Sequence, residues 1–306
     1  MRPTLCRPFQ STFRVLGHEN PLGLPKSGTP PHWPRKPVRR KITGVDKVIA
    51  VSSAKGGVGK STVAGEKDNH DIKANLSLAF ARLGYHAGIL DTDIFGPSIP
   101  TLFNLSGEPR LSQNNQLVPM TNYGVKTMSM GYLVPEDDAV VWRGPMVMKA
   151  IQQLLHEVDW GNLDVLVLDL PPGTGDTQLT ITQQIILDGS IIVTTPHTLA
   201  VKDAVKGVNM FNKVNTNILG LVQNMSLFKC PHCHGDTQVF GSNDRVERMC
   251  KEHNISFLGD IPLHPSIGDD ADLGKPTVVS EPTSERAGIF LKIAQNIAPR
   301  IDLRSP

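Results

Sequence analysis

Ser53-Ala54-Lys55-Gly56-Gly57-Val58-Gly59-Lys60-Ser61-Thr62 follows a short apolar run, residues 48–52, and precedes a helical pattern. Three glycines in such a strand-to-helix turn let backbone N–H groups close around phosphate oxygens, in conformations that a Cβ would obstruct. Lys60 is placed to reach β- and γ-phosphates, and the Ser61 hydroxyl to coordinate Mg²⁺. The helix that follows adds its positive N-terminal dipole, so Lys55, Gly56, Gly57, Val58, Gly59, Lys60, Ser61 and Thr62 read as a cradle for ATP.

Outward from this loop, short hydrophobic runs alternate with helical stripes. Strands are expected at residues 48–52, 86–90, 165–168, 190–194, 218–223 and 255–258, rich in Val, Ile and Leu without strict alternation. Such runs are covered on both faces, which predicts an α/β fold with a doubly wound, mostly parallel sheet. Val147, Ile151, Leu154, Leu155 and Val158 form one helical stripe; Val201, Ala204, Val205, Val208 and Phe211 form another; Ala287, Phe290, Leu291, Ala294 and Ile297 form a third. Stripes of this spacing face a core. The expected organisation is a leader and basic linker over 1–41, one nucleotide-binding domain over 42–300, and a tail over 301–306.

Two other expected strand ends carry acids. Asp91 and Asp93 sit two residues apart, so an extended backbone puts both on one face. Asp169 ends a strand ahead of Leu170-Pro171-Pro172-Gly173-Thr174-Gly175-Asp176. Asp169 is placed to support the Mg²⁺ shell, and the Gly173 N–H to sense a γ-phosphate. Ligands of open α/β sheets gather at the carboxyl ends of the strands, where all three segments fall.

A strict Walker A loop has Gly where Ala54 stands; this one carries a second lysine, Lys55, instead. That double-lysine loop, the Asp91-x-Asp93 pair and the 169–176 run resemble the Mrp-type branch of the deviant-Walker P-loop ATPases. Phe95-Gly96-Pro97-Ser98-Ile99-Pro100, Val141-Trp142-Arg143-Gly144-Pro145 and Gln223-Asn224-Met225 match that branch as well. The resemblance implies a homodimer with nucleotide sandwiched between subunits. By it, Lys55 reaches across to the partner's phosphates, Asp93 orients or deprotonates the attacking water, and Asn224 reads the adenine edge. It also implies an iron–sulfur carrier with slow, regulatory, Mg²⁺-dependent hydrolysis. The recipients it points to are iron–sulfur apoproteins, respiratory complex I subunits foremost. No mechanism for Trp142 or Arg143 follows from the residues.

Cys230-Pro231-His232-Cys233 follows the strand expected at 218–223. Two thiolates in a C-x-x-C turn converge on one soft metal, which suits zinc or an iron–sulfur cluster. A structural zinc could add His232 or His234; a redox dithiol or an inert turn are the other readings. Cys250 lies in a helical context and Cys6 in the leader. The family resemblance implies a labile [4Fe–4S] cluster bridging two chains through Cys230 and Cys233 of each.

Composition narrows the rest. The chain has 306 residues and only 4 Cys, so a disulfide-stapled scaffold is excluded. No run approaches the ~18 apolar residues of a membrane span, so stable membrane insertion is not expected. Residues 1–41 hold nine Lys/Arg against Glu19; removing them from the totals of 31 and 29 leaves 22 basic and 28 acidic residues. A body at about −6 lacks the basic footprint of a nucleic-acid binder. The Arg-rich, acid-poor leader, with Phe9, Phe13 and Leu16 at helical spacing, suits mitochondrial matrix targeting. A chloroplast address or a disordered basic tail shares that composition. Rival functions are a MinD/ParA-type positioning ATPase and a zinc-stabilised, nucleotide-dependent interaction module.

One stretch departs from the family. Gly65-Glu66-Lys67-Asp68-Asn69-His70-Asp71-Ile72-Lys73 separates Val63-Ala64 from Ala74-Asn75-Leu76; without it the helix would run on unbroken. Gly65, Asp68, Asn69 and Asp71 are poor helix formers, so a break after one turn is expected. The stretch reads either as a translated intron edge or minor splice form, or as a surface bulge with a second helix capped at Asn69 or Asp71.

Overall fold

The computed structural model describes residues 39–53, 67–94, 96–133, 144–173, 175–230, 232–233, 235–264 and 266–304. In chain order the elements are β1 (Val45–Ser53), α1 (Lys67–Arg82), β2 (Ala87–Asp91), α2 (Ile99–Leu102), β3 (Met120–Asn122), β4 (Val125–Ser129), α3 (Gly144–His156), β5 (Leu163–Asp169) and α4 (Asp176–Gln184). There follow β6 (Gly189–Thr194), α5 (Thr198–Lys213), β7 (Ile218–Lys229), β8 (Asp236–Thr237), α6 (Asp244–Glu252), β9 (Phe257–Leu263), α7 (Ser266–Asp272), α8 (Thr277–Ser280) and α9 (Glu285–Ile297).

All six expected strands form and share one sheet, in the order β3-β4-β2-β5-β1-β6-β7-β8, with β9 also paired to β7. Pairing is parallel except at β3 with β4 and β7 with β8. Alternation within the strands explains why their sequences look uniformly apolar. On β1, Val48 and Ala50 join one core cluster while Ile49 and Val51 join the other; on β5, Leu166 and Leu168 part from Val165 and Val167 in the same way. Each face is therefore a separate core. The first takes Ile151, Leu154 and Leu155 of α3 and Val208 and Phe211 of α5; the second takes Phe80 of α1 and Phe290, Ala294 and Ile297 of α9. Ile301 and Leu303 are buried in the second core as well, so packing continues past the boundary expected at 300.

The 65–73 stretch behaves otherwise than its propensities predict. Lys67 to Arg82 is one helix of 16 residues, with no second start at Asn69 or Asp71. Residues 72–80 are all buried, and Asn75 Oδ1 accepts the Val278 N–H at 2.7 Å. Nine consecutive buried positions outweigh a few tenths of a kcal/mol of propensity per residue. A surface bulge is excluded at Ile72 and Lys73; Gly65 and Glu66 lie outside the described residues.

The hairpin β3–β4 was not expected. Its strands are short and partly polar, but the turn was readable: Tyr123 and Gly124 both take positive φ, +52° and +78°, the geometry of a tight two-residue connection.

Candidate functional site

The carboxyl ends of β2, β5 and β1 are neighbours. Asp91 pairs in register with Asp169, and Asp169 with Val51, two residues before the end of β1 at Ser53. Here β5 lies on one side of β1 and β6 on the other, so the chain order reverses and a crevice opens. Lys55, Gly56, Gly57, Val58, Gly59, Lys60, Ser61 and Thr62 follow Ser53 in sequence and lie outside the described residues. Trp142 and Arg143 also lie outside.

Asp91 is fixed by three donors: the Asp93 N–H at 2.9 Å, the Ser98 N–H at 3.2 Å and the Ser129 hydroxyl at 3.0 Å. Thr92 ties the two strand ends together, its N–H and hydroxyl donating to the Asp169 carbonyl at 3.1 and 2.5 Å. Asp93 is buried beside them. The Pro-Pro run turns back over β1: the Leu170 N–H donates to the Val51 carbonyl at 3.1 Å, and the Gly173 N–H to the Ser53 carbonyl at 3.2 Å. Gly173, at φ +97°, holds a conformation that suits glycine, and its N–H donates to the end of β1. Gln178 of α4 donates to the Pro171 carbonyl and to the Ser52 hydroxyl, the latter at 3.2 Å.

One residue at this crevice was not anticipated as functional. The Lys73 ammonium, 2% exposed, bonds an oxygen of Asp169, which is 0% exposed. It also lies 3.5 Å from the Leu170 carbonyl. Burial pulls the lysine down from an ordinary 10.5 to about 8, against the opposing fields of Asp91 and Asp93. The carboxylate expected to support a Mg²⁺ shell thus carries an ammonium, while Ser61, the residue expected to coordinate the ion, lies outside the described residues. No sequence signal marks this contact beyond a lysine within a buried helical face.

Asn224 of β7 is buried, and its Nδ2 has no partner among the described residues, as is true of the Thr195 hydroxyl just beyond β6. Buried amides are normally paired, so this donor fits an acceptor brought by a ligand such as a purine edge. Met225 beside it takes φ +53°, and the β7–β9 register shifts between Asn224 and Phe228.

Past this irregularity β7 runs on to Lys229 and pairs with β8, Phe228 opposite Thr237 and Lys229 opposite Asp236. Cys230 and Cys233 therefore sit at the tip of a two-stranded ribbon, closed by the Cys230 N–H donating to the Gly235 carbonyl at 3.0 Å. The sequence placed the pair after a strand ending at 223; the longer strand carries it outward. Cys233 is exposed and Cys230 partly so. The Cys230 thiol is held below its ordinary range, chiefly by the Cys233 backbone N–H and then by that of His232. Among the described residues no group of three His, Cys, Asp or Glu side chains could hold a metal ion. Cys250 of α6 is a core residue whose thiol burial pushes up to about 11.

A mostly parallel sheet, acids on adjoining strand ends, and a double-lysine, glycine-rich sequence directly after β1 together define a P-loop NTPase. The model of the ParA family described as NUBPL iron-transfer P-loop NTPase matches residues 44–298, and the chain belongs to that family. A mouse protein named iron-sulfur cluster transfer protein NUBPL is 46% identical over 299 residues, 98% of this chain and 91% of its own. An Arabidopsis thaliana protein named iron-sulfur protein required for NADH dehydrogenase, mitochondrial, is 45% identical over 84% of this chain and 79% of its own. Among solved structures, a nucleotide-binding protein in complex with ADP from Archaeoglobus fulgidus is 34% identical, with a TM-score of 0.67, covering 82% of this chain and 94% of that one.

Proposed function

We propose that this chain is an ATP-binding carrier that receives a [4Fe–4S] cluster and delivers it to apoproteins, complex I subunits foremost, in the mitochondrial matrix. The observation that carries the reading is the Cys230–Cys233 ribbon, held by a nucleotide-binding fold but outside its crevice. A positioning ATPase needs no such pair. Its two thiols, one exposed and one partly so, are half of what a four-iron cargo needs, and a homodimer supplies the other half from Cys230 and Cys233 of the second copy. An open, solvent-facing ribbon suits cargo that must leave again.

Nucleotide is the control. Lys60 and the glycine turn hold the phosphates, Lys55 crosses to the partner's nucleotide, Asn224 donates to the base, and Asp93 faces the attacking water. ATP shifts the dimer between holding and releasing states only as far as its affinity for the two differs. Support for the mitochondrial and complex I assignments comes from the Arg-rich leader and from the Arabidopsis relative's name.

Anaerobic reconstitution with ferrous iron and sulfide tests the reading. About four irons and four acid-labile sulfides per dimer, lost in Cys230→Ala, are expected. Stoichiometric zinc without sulfide would instead establish an interaction module. Transfer is then read as recovery of activity in an apo-aconitase-type acceptor.

A further inference from the structure

Two buried polar side chains at the carboxyl end of the sheet are neighbours with nothing to bond. The Thr195 hydroxyl and the Asn224 Nδ2 each have no hydrogen-bond partner among the described residues, and both residues are 3% exposed. Strand register brings them together. Thr194 pairs with Gln223, so Thr195 and Asn224 are the next residues on adjoining strands, with backbones about 5 Å apart. Alternation also puts them on one face. Ile191 and Val193 of β6 and Val222 of β7 enter the second core, whereas Ile192 and Leu221 enter the first. Carried one residue past β6, the same alternation gives Thr195 and Asn224 the face that α1 and α9 cover. Gln223, between Val222 and Asn224, donates instead to Asn243 just ahead of α6, at 2.7 Å. Ile49 and Val51 of β1 belong to the second core too, so β1 ends at Ser53 on the same face, directly before the glycine-rich sequence.

A buried donor without a partner destabilises a fold, and two side by side call for a ligand that bonds both. The chemistry of the pair says which. An amide N–H only donates, so Asn224 needs an acceptor; a hydroxyl also accepts, so Thr195 suits a group next to that acceptor which carries a hydrogen. Adenine presents this pattern along one edge, the ring nitrogen N7 beside the exocyclic N6 amine. We propose that Thr195 is a second base-reading residue of the nucleotide site: Asn224 donates to a ring nitrogen of adenine, and the Thr195 hydroxyl accepts from the 6-amino group beside it. The inference rests on the nucleotide-binding reading above and adds a specificity-determining residue to it, with no contact to the phosphates. Because a hydroxyl rotates, a 6-oxo purine would find it donating instead. Thr195 therefore selects for a polar group at position 6 of the purine, not for amine over carbonyl.

Calorimetry with ATP and with purine riboside triphosphate, which lacks only the 6-amino group, tests it on the full chain, Thr195→Val and Thr195→Ser. The full chain and Thr195→Ser should bind ATP about fivefold to tenfold more tightly than the analogue. Thr195→Val, which keeps the shape and loses the hydroxyl, should bind the two alike. Without nucleotide, Thr195→Val should melt about 2 °C above the full chain, because an unpaired buried hydroxyl has gone. A preference for ATP as large in Thr195→Val as in the full chain would overturn the proposal and leave nucleotide binding standing. A preference lost together with a fall in melting temperature would overturn it too, marking the hydroxyl as part of the fold. If the full chain binds neither triphosphate, the nucleotide reading fails and the proposal with it. Where Thr195→Val does not fold, Thr195→Ala takes its place in calorimetry, with the same loss of preference expected.

Discussion

A lysine buried against carboxylates is among the costlier residues a helix can carry, and its cost depends on pH in a definite direction. Lys73 binds its proton more weakly in the folded chain, at about 8, than its ordinary 10.5. Between those values the unfolded chain holds the extra proton, so stability rises with pH. Two other groups oppose this higher up: burial raises Cys250 from 9.0 to about 11 and Tyr132 from 10.0 to about 12, and each loses stability as pH climbs through its window. The interval from pH 8 to 9 belongs to Lys73, and there the full chain should gain about 1 kcal/mol relative to Lys73→Met. Urea unfolding at the two pH values measures the difference; a gap that does not change with pH would contradict it. The three described cysteines part as sharply. Iodoacetamide should modify Cys230 and Cys233 in the native protein, while Cys250, buried in the first core, should react only on unfolding, as peptide mass mapping would show.

At the level of elements, capping and burial make separate contributions that can be told apart. Helix α9 begins where the Ser284 hydroxyl accepts the Ala287 N–H at 3.1 Å, while Ala287, Phe290, Ala294 and Ile297 fill the second core. Ser284→Ala should cost about 1 kcal/mol and leave the fold intact. Phe290→Ala should cost about 3–5 kcal/mol, a cavity where the other is a lost cap. Elements of this kind were legible in advance, because a stripe at 3.6-residue spacing states both the helix and its buried face. The parallel strands were legible as apolar runs, although their ends were not: β7 continues six residues past its apolar stretch, through Asn224, Ser226 and Lys229, because pairing with β8 outweighs composition. Helix α1 went the other way. Asp68, Asn69 and Asp71 argued locally for a break, and the burial of residues 72–80, a property of the assembled sheet, overrode them. The site divides on the same line. Asp91, Asp93 and Asp169 could be placed because strand ends converge in any such fold, but Lys73 meets Asp169 across 96 residues of sequence, and no local pattern reports that contact.

For the whole molecule, the decisive quantity is how many sulfur ligands one copy can bring to its cargo. The described part of the chain brings the two thiols of one ribbon tip and no third His, Cys, Asp or Glu side chain grouped with them. If cargo is shared, each half-site is useless alone, and a defect in one chain removes the contribution of its partner too. Mixing the chain with an equal amount of a Cys230→Ala, Cys233→Ala double variant, unfolding and refolding together so that pairs form at random, separates the two cases. About one dimer in four then has both ribbons intact, so iron and sulfide after reconstitution should fall to about a quarter of the unmixed value. Chains that each hold a cargo alone would retain about half. Removing iron with a chelator should also weaken the dimer, since the cargo contributes binding energy only to the paired state, and sedimentation before and after chelation measures that shift. A retained half, together with a sedimentation coefficient indifferent to iron, would place the cargo within single chains and leave the pairing to nucleotide alone.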